Sequence, residues 1–167
     1  GLVGEATNTD IDSSFANADI QATEDYAGGI VGHIEGTASV ENGEIKYSSN
    51  IINTYSTGTI NGKNSVGGLV GYFKNSNISG SYTSSNVTGA TETGGLVGYA
   101  FSGNIEYSFT FNNTVNSSSG ANQSSSFGGF IGYAYGTSAE TSGAPVGALN
   151  ISNSFATTQV LANTGTR

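Results

Sequence analysis

The carboxylates are the first residues of this sequence to test for chemistry, because nine of the twelve fall within its first 44 positions: Glu5, Asp10, Asp12, Asp19, Glu24, Asp25, Glu35, Glu41 and Glu44. Paired carboxyls across a cleft hydrolyse glycosidic bonds, and carboxyls two apart on an extended strand share a face and can begin a Ca²⁺ site. Asp10 and Asp12 have that second spacing. The positions equivalent to 12 in the repeats described below hold Ile52, Ser79, Glu106 and Ser152, so the pair reads as a turn-capping Asp beside an exposed one. No carboxyl pair is placed at a cleft by its spacing, and a polysaccharide-active enzyme is a lesser alternative. A single histidine, His33, and the absence of cysteine leave imidazole relays, thiol catalysis and multi-histidine or thiolate metal sites without members. No catalytic, cofactor or metal residue is therefore assigned. With four Lys and Arg against twelve acids, net charge −8, binding to nucleic acid or anionic lipid has no electrostatic basis. No apolar run approaches the roughly 20 residues of a membrane helix, so no membrane insertion is expected.

Two further side-chain arrays face outward in an extended reading. Tyr72, Tyr99 and Tyr133 each follow the last Gly of a repeated motif, with Glu5 and His33 at the same place in two other copies. Stacked tyrosines bind sugars or partner surfaces, and they also stabilise strands by pairing; these three are the candidate surface contacts. The pairs Thr7/Thr9, Thr57/Thr59, Thr91/Thr93 and Thr164/Thr166 raise an ice-binding alternative, although only the last two pairs share a register. Six Asn-x-Ser/Thr sequons, at Asn77, Asn86, Asn112, Asn116, Asn122 and Asn150, are about as many as composition alone gives.

What must position these residues is an internal repeat. Gly28-Gly29-Ile30-Val31-Gly32 recurs as Gly67-Gly68-Leu69-Val70-Gly71, Gly94-Gly95-Leu96-Val97-Gly98 and Gly128-Gly129-Phe130-Ile131-Gly132, and Gly1-Leu2-Val3-Gly4 is a fifth copy. Each is followed by an Ile with Ser/Thr three residues on and an aromatic four on: Ile11/Ser14/Phe15, Ile51/Thr54/Tyr55, Ile78/Ser81/Tyr82, Ile105/Ser108/Phe109 and Ile151/Ser154/Phe155. A branched residue closes each unit: Ile20, Ile60, Val87, Val115 and Val160. The units are 1–28, 29–67, 68–94, 95–128 and 129–167, a basic length of about 27 residues with insertions at 33–50, 116–127 and 133–150. Those insertions are expected to leave the repeat as loops.

Frequent Gly and the absence of a 3.6-residue apolar period argue against helix. A unit this short buries a face only by stacking on its like, so the expected fold is all-β: a single domain forming a parallel β-solenoid (β-helix) of about five coils with loop insertions. Leu96, Gly98 and Ala100 are expected on one strand face and Val97 and Tyr99 on the other. Stacking in register makes ladders of Asp10, Asn50, Asn77, Asn104 and Asn150, expected at a turn, and of Phe15, Tyr55, Tyr82, Phe109 and Phe155, expected in the core with Leu69, Leu96, Ile78 and Ile105.

The Gly-Gly-Leu-Val-Gly-Tyr strings and Ile-x-x-Ser-Tyr/Phe half-motifs, from Gly1 to Val160, resemble the GLUG-motif repeats of bacterial secreted and surface proteins, including adhesin-like proteins. The resemblance implies a repetitive extracellular or cell-surface module with a non-catalytic, structural or adhesive role. Its implied partners are other protein or glycan surfaces. Gly1 lies inside a motif and Thr164-Gly165-Thr166-Arg167 stands where the next Gly-Gly is due. Excision from a longer array is the first expectation, and a filament subunit assembling end to end with further copies of itself is the second.

Overall fold

A computed structural model describes residues 1–118, 125–136 and 147–161. Its strands stack as a parallel β-solenoid of five coils that follow one another in sequence order. Four faces repeat along the stack, the fourth described in coils one to four. The first holds Val3–Thr7, Val31–Glu35, Val70–Lys74, Val97–Phe101 and Ile131–Tyr135. The second holds Asp10–Asp12, Ser49–Ile52, Ser76–Ser79, Gly103–Glu106 and Leu149–Ser152. The third begins at Phe15–Asn17, Tyr55–Thr57 and Tyr82–Thr83, and continues through Ile20–Gln21, Thr59–Asn61 and Asn86–Gly89. In coils four and five its two halves fuse into the single strands Phe109–Ser117 and Phe155–Leu161. The fourth is Ala27–Gly28, Asn64–Gly67, Thr91–Gly94 and Phe127–Gly128. No helix occurs among the described residues, so none is long and apolar enough to cross a membrane.

The half-motif Ile-x-x-Ser-aromatic has a physical explanation at the corner between the second and third faces. The Ile points inward: Ile51, Ile78 and Ile105 are fully buried. Two residues later the chain turns through a left-handed residue in every coil, at Ser13, Asn53, Gly80, Tyr107 and Asn153, with φ between 48° and 59°. The next residue clasps the corner. In coil three Ser81 Oγ donates to Ser79 O (3.0 Å) and accepts the backbone N–H of Thr54 (3.1 Å), while Ser81 N donates to Ser108 Oγ (3.2 Å). The same hydroxyl-to-backbone bonds recur at Ser14, Thr54, Ser108 and Ser154, so one short side chain ties each corner to its neighbour.

Leu69, Leu96, Ile78 and Ile105 lie fully buried in the larger of two apolar clusters, together with Ile34, Val70 and Phe73. The smaller cluster is Ala27, Ile60, Val66 and Val87. Buried hydroxyls lie in the interior near them: Ser56 Oγ donates to Gly68 O (2.6 Å) and accepts from Thr83 Oγ1 (2.9 Å), and Thr110 Oγ1 donates to Gly129 O (3.0 Å). Each of these polar groups is satisfied, as burial demands.

Three expectations need correction. The aromatic column Phe15–Tyr55–Tyr82–Phe109–Phe155 is not in the core; the left-handed corner rotates it outward, and Phe15 is 59% exposed. The Asx column lies within strands of the second face and not at a turn, since the left-handed residues are three positions further on. Leu96 and Val97 do not point to opposite sides: both are fully buried, because the chain bends at Gly95-Leu96 and the strand starts only at Val97.

The first insertion also differs from a loop. His33–Glu35 and Ser49–Asn50 stay in the solenoid, and Ala38–Glu41 pairs antiparallel with Glu44–Tyr47 across Asn42-Gly43. Asn42 and Gly43 have φ of 53° and 80°, as a two-residue hairpin with right-handed strand twist requires. The other two insertions, at 116–127 and 133–150, fall partly outside the described residues (119–124 and 137–146), as do Asn122 and the pair Thr164/Thr166.

Candidate functional site

Side chains that project from the solenoid form ladders, and the candidate site is their outer surface. On the second face the amides bond along the stack. Asn50 Nδ2 donates to Asp10 Oδ1 (2.6 Å), Asn77 Nδ2 to Asn50 Oδ1 (2.8 Å), Asn104 Nδ2 to Asn77 Oδ1 (2.9 Å) and Asn150 Nδ2 to Asn104 Oδ1 (3.1 Å). Asp12 accepts from its neighbour Ser13 (3.0 Å), so Asp10 and Asp12 are each engaged in hydrogen bonds rather than jointly aimed at a cation. Among the described residues no three His or acidic groups gather as a metal-binding set.

On the third face the rings of Phe15, Tyr55, Tyr82, Phe109 and Phe155 stack with centroids 5.0–5.2 Å apart and interplanar angles of 9°, 2°, 6° and 3°. Parallel stacking at the coil spacing turns each ring face against another ring. An inner ring therefore shows solvent only its edge, and sugar binding across an aromatic face is closed to Tyr55, Tyr82 and Phe109. Only the end rings Phe15 and Phe155 keep a face free of a ladder neighbour.

The first face carries the candidate contacts. Glu5, His33, Tyr72, Tyr99 and Tyr133 are direct cross-strand partners along one row. Tyr72 and Tyr99 stack at 5.1 Å and 7°, and Tyr99 and Tyr133 follow at 5.3 Å and 30°. Two residues along, Phe101 and Tyr135 stack at 5.3 Å, and Lys74 reaches over the Phe101 ring while bonding Glu35 at 2.8 Å. The face is therefore graded: Glu5, His33 and Glu35 at coils one and two, and five aromatic rings over coils three to five. His33 sits edge-on to Tyr72 at 4.8 Å, and Tyr26 packs against both rings, 5.4 Å from His33 and 5.2 Å from Tyr72. It is a member of the row rather than an isolated group.

No protein-family model, curated protein or solved structure matches this chain. What the arrangement can do must come from its own geometry. Thr93 is fully buried, so Thr91/Thr93 is not a water-facing pair and a flat threonine plane is not formed there. Sequence reasoning placed the tyrosine row but missed the Phe101–Tyr135 row beside it. The i, i+2 spacing from Tyr99 and Tyr133 was the available signal.

Burial raises the phenol pKa of Tyr72, with Glu35 and then Tyr26 and Glu92 adding to the effect; burial also raises Tyr99, and Tyr47 in the hairpin. A folded-state phenol pKa above the unfolded one gives stability that is full below about pH 10 and is lost as pH climbs, because the unfolded chain releases its protons first. Thermal unfolding at about pH 8 and about pH 11 should show a fall in midpoint that Tyr72→Phe and Tyr99→Phe each reduce. An equal fall in the variants would remove these phenols as its cause.

Proposed function

We propose that this chain is a non-catalytic structural and adhesive repeat module of a bacterial extracellular or cell-surface protein, of the GLUG-like kind its repeated strings resemble. The observation that carries the reading is the use made of the side chains. Inward positions pack coil on coil, and buried hydroxyls and stacked amides bond coil to coil. The aromatic rows of coils three to five on the first face present their ring edges at the surface, and these edges are the contact offered to a protein or glycan. Interface cores favour such Tyr-rich, charge-poor patches. The test is adhesion of the purified chain to immobilised glycans and cell surfaces. Tyr99→Ser with Tyr133→Ser should cut retention at least tenfold with the far-ultraviolet spectrum unchanged. Polysaccharide turnover lost on removing one or two carboxylates would overturn the reading in favour of an enzyme.

A second reading, end-to-end assembly of copies into an extracellular filament, is favoured by one specific observation. The two ends of the third-face ladder are both phenylalanines with a free face, Phe15 and Phe155, 59% and 56% exposed. Negative-stain images at rising concentration distinguish a short rod from a fibre.

A further inference from the structure

The amide ladder of the second face has a direction, and Asp10 sets it. An ionised carboxylate offers acceptors only. Asn50 must therefore turn Nδ2 toward Asp10, which leaves its Oδ1 to meet Nδ2 of Asn77, and the same orientation is imposed up to Asn150. Reversing one amide would set two oxygens or two N–H groups against each other. The ladder thus ends on a bare carboxylate at coil one, and at coil five Asn150 Oδ1 is left as an acceptor.

Two other columns end the same way. Asp25 Oδ1 accepts from Asn64 Nδ2 (2.7 Å), whose Oδ1 accepts from Thr91 Oγ1 (2.7 Å). Asp19 Oδ1 accepts the backbone N–H of Thr59 (3.0 Å), as Asn86 Oδ1 does for Thr114 one coil pair later. In each column the coil-one residue is an acid where later coils use a neutral group. Coil one, residues 1–28, holds six acids (Glu5, Asp10, Asp12, Asp19, Glu24 and Asp25) and no Lys or Arg, while units 68–94 and 129–167 each balance one acid with one base.

The coil-five edge is apolar where a further coil would sit: inward Ile151 is 49% exposed there, against 8% for its coil-one counterpart Ile11, and the two ends of the outward aromatic ladder, Phe155 and Phe15, are 56% and 59% exposed. A further coil laid on this edge in register would cover Ile151, stack a ring on Phe155 and meet Asn150 Oδ1. It would have to bring a donor to that oxygen.

We propose that the coil-five edge is the docking surface for coil one of a second copy of this chain, and that Asp10, Asp19 and Asp25 act as a stop that keeps this contact weak. Phe15 of the incoming copy matches Phe155 in position and type, and its Ile11 falls over Ile151. Asp10 does not match, because it sets a carboxylate against Asn150 Oδ1 where an Asn would donate. The inference rests on the end-to-end reading above and adds to it the groups that oppose assembly.

The experiment compares sedimentation equilibrium of the wild type with Asp10→Asn alone and with the triple variant Asp10→Asn, Asp19→Asn, Asp25→Asn. A matched triple, Glu5→Gln, Asp12→Asn, Glu24→Gln, removes the same charge from coil one without touching the three columns. The single isosteric change keeps the test readable should the triple fail to fold. Expected is head-to-tail association at least tenfold tighter in the column triple than in the wild type, a smaller gain for Asp10→Asn, and less than threefold for the matched triple. Adding Phe155→Lys with Ile151→Lys should abolish it. Equal gains in both triples would overturn the stop as a hydrogen-bonding device, and association that survives the lysines would overturn the docking surface. A wild type as tightly associated as the column triple would overturn the stop while leaving end-to-end assembly standing. Monomers throughout would end both.

Discussion

Gly71→Ala is expected to destabilise the fold severely, while Gly4→Ala is expected to leave it almost untouched. The two glycines hold the same place in the repeated motif, so intrinsic propensity predicts the same small effect for both. Their surroundings differ. A Cβ on Gly71 would stand 2.5 Å from Gly32 O, 2.7 Å from Tyr26 C and 2.8 Å from Ala27 N, all backbone, from the start of coil two and the end of coil one. None of these can retreat: Gly32 is in the first face, and Tyr26 is held at φ 66° at the entry to the fourth. Relief requires the coils to separate, which breaks the parallel ladders on both sides. A Cβ on Gly4 meets nothing within 4 Å. The expected loss is more than about 4 kcal/mol at Gly71 and within about 0.5 kcal/mol at Gly4. Equilibrium denaturation measures both, and similar midpoints for the two variants would show that close coil contact is not what the last Gly of the motif serves.

The contrast also marks what the sequence made legible. Register was legible, because identical strings at set distances can stack only one way: the expected pairings of Tyr72 with Tyr99 and of Asn77 with Asn104 are direct cross-strand partners. Which side a residue faces was legible only within a strand. From Ile78 to Tyr82 the count is even, and an unbroken strand would put both inside. Between them Gly80, at φ 59°, and the Ser81 clasp turn the corner, so Ile78 is buried and Tyr82 is at the surface. Alternation arguments fail at every such corner for the same reason, including Gly95-Leu96. Asn42-Gly43 was a hairpin signal in plain view, but it lay inside a stretch defined by subtraction from the repeat rather than by its own turn chemistry. The direction of the amide ladder was written in a single residue, Asp10, whose inability to donate orders four amides. Reading it required knowing that the column lies in a strand and bonds along the axis. The tyrosine row was legible as a row. Its neighbour Phe101–Tyr135 was not, because coils one to three hold Thr7, Glu35 and Lys74 there.

Phe73→Ala is expected to cost about 3–5 kcal/mol, the largest loss for any core truncation in this chain. Phe73 heads the largest side chains in the interior that are fully buried, and it belongs to the larger apolar cluster. Its cross-strand partners are Ile34 in coil two and Ala100 in coil four. The small Ala100 leaves room above the ring, and the space is closed by the backbone of Gly103: a Cβ there would stand 2.6 Å from Phe73 Cε1 and 2.8 Å from Cζ. The ring thus bridges two coils and fills the corner between the first and second faces. Its removal leaves a void that cannot collapse, because the coil spacing is fixed by the parallel ladders and by the Ser76–Gly103 pairing beside it. Phe73→Leu restores part of the volume and should recover about half of the loss. Urea denaturation of the three proteins tests this, with an unchanged slope showing that the folded state is still the solenoid. A loss below about 1 kcal/mol for Phe73→Ala would mean that the coils close over the void, and that side-chain size rather than backbone pairing sets their separation.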